Sequence, residues 1–270
     1  MNPNKALWEK GDFTRIADTM RECGEELVDS LAIRPGTSML DLGCGDGTTA
    51  VPAARAGAEV LGIDIAANLV AAGRARAVAA GLSNLRFGEG DASNLIALAD
   101  RRFDLVLSMF GAMFAPRPFD VAREMVRVTR PGGRIVMGNW IPGDPTLVAQ
   151  ILKISAAYTP PPPEGFVSPV TWGVEDAVVE RFAAAGIAPG DIAFERSTWR
   201  FRHSGPPAEF LDLFRRYYGP TMNAFESAAK DGREDSLEAE LADLFEAQNQ
   251  AGPDRTEIPA TYLKVIVTRA

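Results

Sequence analysis

The sequence predicts an α/β fold in which a largely parallel β-sheet is covered by helices. Short apolar runs alternate with helical segments through the first half of the chain, as in folds built on parallel strands. Gly43, Gly45 and Gly47 follow the first run, where a tight strand-to-helix turn needs residues without a Cβ atom. Asp64 ends the second run, the usual place for an acid that binds ribose in nucleoside-binding α/β folds.

The first half of the chain supplies five of the predicted strands. An apolar repeat with helical spacing precedes them, between Asp12, a plausible N-cap, and the helix-stopping Pro35-Gly36. The predicted strands are 38–42, 58–63, 84–88, 103–108 and 133–139. The predicted helices between them are 48–56, 67–80 and 119–129, with a short helix or turn near 93–99. Pro52 must lie in the first turn of its helix, because proline lacks the N–H that later turns require.

The alternation changes after residue 140. Helices are predicted at 146–157 and 174–185, strands at 191–202 and 260–269, and a mostly helical stretch at 206–250. We expect one domain over residues 1–270, with a ligand-binding core at 30–140. The insertions 141–173 and 203–258 are expected to form a helical lid, because long insertions after strand ends often line a site. Plain coverage of the core is the alternative.

Composition and charge exclude several classes of protein. The net charge of −8 argues against nucleic acid as a partner, because that binding depends on Lys and Arg neutralising phosphates. Cys23 and Cys44 are too few for a disulfide framework or a cysteine-rich zinc site, and we predict no metal site. The first residues lack a signal-peptide core, and no run of about eighteen apolar residues could span a bilayer. We expect a soluble cytoplasmic protein.

Five motifs, in register, resemble those of class I S-adenosylmethionine-dependent methyltransferases. They are Asp41 to Gly47 (DLGCGDG), Asp64, Gly90-Asp91-Ala92, Phe103 to Val106 (FDLV) and Pro131 to Arg134 (PGGR). The resemblance covers about residues 30–140 and, more loosely, the last pair of strands. It implies a Rossmann-like sheet of seven strands, mostly parallel with one antiparallel strand, and helices on both faces. It also implies S-adenosyl-L-methionine as the cofactor of the 30–140 core.

The resemblance assigns roles to the first two motifs. Asp41 and the backbone of Gly43, Gly45 and Gly47 would hold the methionine part of the cofactor, whose ammonium group favours a nearby carboxylate or carbonyl. Asp64 would accept hydrogen bonds from both ribose hydroxyls. Simple turn-capping and strand-end roles are the alternatives.

The same resemblance assigns the adenine and sulfonium contacts. Asp91 would accept a hydrogen bond from the adenine amine, and the Ala92 amide would serve a ring nitrogen. Helix capping is the alternative for Asp91. Ser108 and Met109 would face the sulfonium or the methionine tail. The candidate apolar walls for adenine are Ile65 and Leu95.

The acceptor side of the reaction has fewer candidates. His203, the only histidine, is a candidate general base, and a solvated or capping role is the alternative. The candidate apolar acceptor wall, which could equally pack the loop, is Phe110, Met113 and Phe114. Residues that could contact an acceptor, or equally serve as surface or packing residues, are Arg117, Arg200, Arg202, Tyr217 and Tyr218. Trp8 and Phe13 could close over the cofactor or simply pack.

The resemblance implies in-line methyl transfer to a small-molecule acceptor, a reaction that needs alignment and desolvation more than covalent catalysis. The loop from Ser108 to Pro116 lacks the Asn/Asp-Pro-Pro-aromatic motif of many nucleic-acid and protein amino-methylases. It is similar to the apolar loop of small-molecule methyltransferases, including the quinone-biosynthesis type. One alternative is an NAD(P)-dependent oxidoreductase, against which the GxGxG spacing counts. The other is a catalytically silent protein that binds S-adenosylmethionine.

Overall fold

A seven-stranded sheet organises residues 4–270, the part of the chain that the computed structural model describes. The strands are β1 (Ser38–Leu42), β2 (Glu59–Asp64), β3 (Leu85–Glu89), β4 (Phe103–Met109), β5 (Thr129–Trp140), β6 (Ile192–His203) and β7 (Thr256–Thr268). Their order is β3-β2-β1-β4-β5-β7-β6. Neighbours from β3 to β5 pair in parallel, whereas β7 is antiparallel to both β5 and β6. The prediction of a mostly parallel sheet with one antiparallel strand is confirmed.

Helices surround this sheet. They are α1 (Asn4–Glu9), α2 (Thr14–Ala17), α3 (Arg21–Ser30), α4 (Ala50–Arg55), α5 (Ala67–Ala79), α6 (Pro118–Val128), α7 (Leu147–Ala157), α8 (Glu175–Ala184), α9 (Pro207–Tyr217), α10 (Gly219–Lys230) and α11 (Glu234–Gln248). In β4, Leu105, Val106 and Leu107 are consecutive and all buried. Because successive side chains of a strand point to opposite faces, the sheet must be covered on both. None of the helices within 4–270 is long and apolar enough to cross a bilayer.

Three segments differ from the sequence prediction. The single helix expected after Asp12 is divided into α2, a 3₁₀ turn at Asp18–Met20, and α3. Strand β5 begins at Thr129 rather than at residue 133, because the Pro131-Gly132-Gly133 turn lies inside the strand as an irregularity. There the β4–β5 pairing passes from Phe103 opposite Thr129 to Leu105 opposite Arg134. Strand β7 begins at Thr256 rather than at residue 260. The segment 93–99, expected as a short helix or turn, forms turns.

The two insertions pack around the β5-β7-β6 side of the sheet. The first supplies α7 and a 3₁₀ turn at Pro169–Gly173, and the second supplies α9, α10 and α11. Phe201 of β6 packs against Phe210 and Phe214 of α9, with ring centroids 6.0 and 6.1 Å away. Phe245 of α11 lies 5.4 Å from each of those two α9 rings. The insertions therefore extend the core beyond the sheet.

Candidate functional site

A cavity lies where β1, β2 and β4 end. Parallel strands bring their carboxyl ends to one edge, which is where open α/β sheets bind ligands. We call it the larger cavity. Its lining comprises Asn4, Trp8, Phe13, Ala17, Met20, Asp41, Gly43, Cys44, Gly45, Asp46, Thr48, Thr49, Asp64, Ile65, Leu69, Gly90, Ala92, Met109, Phe110, Gly111, Ala112, Phe114, Ala115 and Trp199.

The turn from Gly43 to Gly47, here called the glycine loop, brings backbone directly to the wall of the larger cavity. Gly43 has a φ of +70°, and a Cβ atom there would lie 2.6 Å from the Gly111 Cα, so only glycine fits between the two loops. Gly45 has a φ of +55°, and its missing side chain would meet open space. Gly47 does not line the cavity; it packs instead against Phe87. The first two glycines thus offer backbone to a ligand, and the third supports the turn.

Asp41 is a buried carboxyl on the wall of the larger cavity, near the end of β1. Its Oδ2 accepts a hydrogen bond from the Thr49 Oγ1 at 2.6 Å. Burial raises its pKa to about 7, against the lowering effect of that hydrogen bond. The site therefore holds a carboxyl that gains or loses a proton near neutral pH.

Asp64 joins the glycine loop to the start of α5. Its Oδ2 accepts from the Gly45 N–H at 2.8 Å, and its Oδ1 accepts from the Ala66 N–H at 2.9 Å. Burial raises the pKa of this carboxyl, although the two backbone hydrogen bonds favour its charged form. Each carboxylate oxygen has a second lone pair, so two hydroxyl donors could still be accepted from the cavity side.

Sequence reasoning missed a buried ion pair that fixes the glycine loop. Asp46 is 2% exposed and accepts two hydrogen bonds from Arg21 of α3, at 2.9 Å from Nη1 and 2.5 Å from Nη2. Arg76 of α5 donates to the Asp46 carbonyl oxygen at 2.7 Å. Two helices therefore hold the loop in place. The available signal was the acidic residue inside the loop itself.

The motif after β3 reaches the larger cavity through two of its three residues. Gly90 and Ala92 line the larger cavity, as does Ile65, whereas Asp91 is absent from its described lining. The Asp91 carboxylate instead accepts hydrogen bonds from the N–H and hydroxyl of Ser93, at 2.9 and 2.7 Å. Leu95 is buried away from the cavity. This motif is thus built around a turn that Asp91 stabilises.

The end of β4 divides its tasks between neighbouring residues. Met109 lines the larger cavity. Ser108 does not: its hydroxyl donates to the Leu42 carbonyl at 2.6 Å and accepts from the Ala112 N–H at 3.0 Å. It therefore ties β4 to β1. Met113 is likewise buried outside the cavity lining.

Phe110 has an unfavourable backbone conformation at the centre of the site. Its φ of +62° is rare for a bulky residue and costs about 1–2 kcal/mol. The ring stacks on Trp140 with centroids 3.8 Å apart and meets Trp199 edge-on at 5.1 Å. Strain of this kind persists where surrounding packing enforces it, and it concentrates at functional sites.

A second, smaller aromatic pocket adjoins the larger cavity. It is lined by Trp8, Phe13, Ile16, Met20, Phe110, Phe114, Trp140, Val148, Phe201, Phe214 and Tyr218. None of these eleven side chains is charged. Five of them also line the larger cavity: Trp8, Phe13, Met20, Phe110 and Phe114. The two spaces therefore share a wall of apolar side chains.

The N-terminal segment is pinned beside both spaces. The Lys5 ammonium donates to the Ile65 carbonyl at 2.9 Å, and Glu9 accepts from the Ala67 N–H at the start of α5 at 3.0 Å. Trp8 packs edge-on against Phe114 at 4.9 Å. These contacts hold α1 over the ends of β2 and β4.

The structure does not bring His203 to either space. Its ring stacks on Phe210 at 5.9 Å, its Nε2 lies 3.7 Å from the Glu209 carboxylate, and it lines neither cavity. His203 stays away from both spaces because it is the last residue of β6 and packs against α9. His203 therefore lacks the placement that a general base for a ligand in these cavities requires.

Most of the other polar acceptor candidates are paired with carboxylates. Arg200 and Arg202 both lie against Glu257, and Arg117 lies against Asp120. These arginines and Tyr217 line neither cavity. Tyr218 is the one member of that set that lines the aromatic pocket, as far as the described residues extend.

Comparison with known proteins gives consistent matches. Residues 40–137 match the family model described as a methyltransferase domain. An uncharacterized protein of Mycobacterium tuberculosis is 37% identical over 89% of this chain and 86% of its own length. A demethylmenaquinone methyltransferase of Paenarthrobacter aurescens is 35% identical, over 42% of this chain and 43% of its own.

The fold also matches a solved structure. The YcgJ protein of Bacillus subtilis superposes with a TM-score of 0.60 at 18% identity, over 92% of this chain and 99% of its own. This likeness concerns the fold alone. The matched methyltransferase domain, together with the motifs in register and the glycine loop at the ends of the strands, places the chain in the family of class I S-adenosylmethionine-dependent methyltransferases.

Proposed function

We propose that this protein transfers the methyl group of S-adenosyl-L-methionine to a small, uncharged, largely apolar acceptor. The observation that carries the proposal is the pair of adjoining spaces. One is built from glycine backbone and buried carboxylates, the other from aromatic and aliphatic side chains, and five residues line both. Such a pair provides for a polar cofactor and an apolar acceptor side by side.

The residues of the larger cavity fit the cofactor that this family uses. Asp64, with lone pairs left over from its bonds to Gly45 and Ala66, would accept from the ribose hydroxyls. Ile65 and Ala92 would flank the adenine. Asp41 would stabilise the ammonium group of the methionine part, since an opposite charge favours an ionised carboxyl. When bound, the cofactor supplies an activated methyl group on sulfur.

The aromatic pocket supports an uncharged acceptor. A charged group would lose its hydration there without finding a charged partner, which is strongly unfavourable. Exclusion of water and close alignment are the contributions that these walls can make, and orientation alone can supply ~7–11 kcal/mol of the barrier. The matched demethylmenaquinone methyltransferase has, by its name, a quinone acceptor, which is consistent with this class.

We further propose a single domain with a cofactor-binding core at 30–140 and acceptor-covering insertions at 141–173 and 203–258. Support comes from the lining of the aromatic pocket, to which Val148 of α7 and Phe214 of α9 contribute. Among the described residues that line the pocket there is no histidine, lysine or carboxylate. We therefore propose catalysis by alignment and desolvation, without a general base from these side chains.

Calorimetric titration with S-adenosylhomocysteine and with NADH tests the cofactor half of the proposal. We expect the first to bind and the second not to bind. Transfer of labelled methyl from S-adenosylmethionine to a panel of uncharged phenols, quinols and carbonyl compounds then tests the acceptor half. Tight binding of NADH alone would overturn the proposal. Binding of S-adenosylhomocysteine with no transfer to the panel would favour a catalytically silent protein.

A further inference from the structure

One polar group of the aromatic pocket has no hydrogen-bonding role within residues 4–270. Tyr218 is 5% exposed, and its phenolic hydroxyl makes no hydrogen bond to any described residue. The Tyr218 hydroxyl does not belong to the fully buried polar atoms that lack a partner, so it keeps accessible surface at which water or a ligand can bond to it. Because Tyr218 lines the aromatic pocket, a ligand that enters the pocket can replace that water as the partner of the hydroxyl.

The pocket offers hydrogen-bond donors and almost no acceptors. Beside Tyr218, the polar groups on its lining side chains are the indole N–H groups of Trp8 and Trp140, which can only donate. Burial raises the pKa of Tyr218 above its usual value, so the phenol keeps its proton and remains a donor at neutral pH. A ligand that satisfies these groups must bring an acceptor atom such as a carbonyl oxygen.

The position of Tyr218 is fixed by tight packing. It joins α9 to α10, and its ring meets those of Trp8, Phe13 and Phe214 at 6.0, 6.2 and 5.3 Å. Its neighbour Gly219 lies so near the Leu7 carbonyl that a Cβ atom would come within 2.5 Å of that oxygen. The hydroxyl is thus held by rigid elements, as a positioning group should be.

Tyr218 is not part of the wall that the two spaces share. It lines the aromatic pocket and is absent from the described lining of the larger cavity. We propose that the Tyr218 hydroxyl is the polar anchor of the acceptor site and donates a hydrogen bond to an oxygen of an uncharged aromatic acceptor. This inference rests on the proposed function and adds the feature that orients the acceptor.

The test compares two probes that differ by one oxygen, acetophenone and ethylbenzene, titrated into the complex with S-adenosylhomocysteine. We expect Tyr218→Phe to bind acetophenone roughly three- to tenfold more weakly, the size of one hydrogen bond, with ethylbenzene unchanged. Tyr217→Phe is the matched control, since it removes the same hydroxyl from the adjacent residue, which lines neither cavity. It should leave both affinities unchanged.

The outcomes separate this inference from the proposed function. If the wild-type protein does not bind S-adenosylhomocysteine, the proposed function is wrong. Intact binding with an unchanged acetophenone-to-ethylbenzene ratio in Tyr218→Phe would overturn the anchor alone. So would a wild-type complex that binds neither probe. Equal weakening of both probes would show that the ring packs and the hydroxyl does nothing.

Discussion

Replacing Asp64 by alanine should weaken the binding of S-adenosylhomocysteine at least tenfold. In the proposed complex its carboxylate accepts from two ribose hydroxyls, and hydrogen bonds to a charged group contribute ~1.5–3 kcal/mol each. The sum of ~3–6 kcal/mol is an upper range, because water entering the variant's cavity replaces part of it. Tenfold corresponds to about 1.4 kcal/mol, well inside that range. Asp64→Asn, which keeps one oxygen but loses the charge, should fall between the two proteins.

Isothermal calorimetry on folded protein provides the measurement. Asp104→Ala is a matched control, because Asp104 also accepts from a backbone N–H, that of Ser38 at 2.8 Å, but lies where β4 begins. Asp104→Ala should lose about as much free energy of unfolding as Asp64→Ala and keep its affinity for S-adenosylhomocysteine. An unchanged dissociation constant for Asp64→Ala, with thermal unfolding still cooperative, would refute the assignment of Asp64 to the ribose.

Three further predictions follow from the site. Because the Asp41 pKa is about 7 and a bound ammonium favours the charged form, affinity for S-adenosylhomocysteine should fall roughly tenfold from pH 8 to pH 6. Asp41→Asn should flatten that profile, and a flat wild-type profile would contradict the assignment. Arg21→Met leaves the buried Asp46 carboxylate with Arg76 alone, at 3.6 Å. The free energy of unfolding, measured by calorimetry, should therefore fall by about 2–4 kcal/mol. Arg15→Met removes an exposed ion pair and should lower the free energy of unfolding by less than about 1 kcal/mol. An equal loss in both variants would argue against a stabilising role of the buried Arg21–Asp46 pair. His203→Ala should leave kcat and KM within about twofold, whereas loss of turnover with cofactor affinity intact would restore its candidacy as a base.

The Asp41 shift also sets the direction of a pH effect on stability. The pKa in the folded protein lies above the ordinary value of 3.8, so the folded state holds this proton more tightly than the unfolded chain. The free energy of unfolding should therefore decline, on account of this group, as pH rises from about 4 to about 7. Asp41→Asn should lose that part of the decline.

Sequence alone located the strands of the first half well. The strands β1 to β4 begin within one residue of their predicted starts, because strands buried on both faces read as continuous apolar runs. The start of β5 was wrong because Pro131-Gly132-Gly133 signals a turn by its local chemistry. Only the tertiary pairing with β4 shows that the strand continues through it.

The site was predictable only where a motif is local. Gly43, Gly45 and Asp64 follow from the strand–turn–helix pattern, and the structure places all three on one cavity wall. Asp91 and Ser108 belong to matching segments, yet both are engaged in local hydrogen bonds. No spacing rule separates a side chain that faces a ligand from a neighbour that faces the backbone.

The aromatic pocket was beyond such patterns. Its walls come from α1, α2 and the 3₁₀ turn after it, the loop after β4, β5, β6, α7 and α9, most of which are far apart along the chain. Trp199 and Met20 were missed for the same reason, since nothing local distinguishes them from ordinary core residues.

The wall common to both spaces has a kinetic consequence. A ligand that orders Trp8 and Phe110 from the larger cavity changes the contacts that these side chains offer in the aromatic pocket. The same coupling acts in the other direction, because thermodynamic linkage is reciprocal. If S-adenosylhomocysteine raises the affinity for an acceptor, that acceptor must raise the affinity for S-adenosylhomocysteine by the same factor. The gain comes from slower dissociation of this product or from its faster association. Excess acceptor would then trap the enzyme in a dead-end ternary complex, and initial rates would pass through a maximum as acceptor concentration rises.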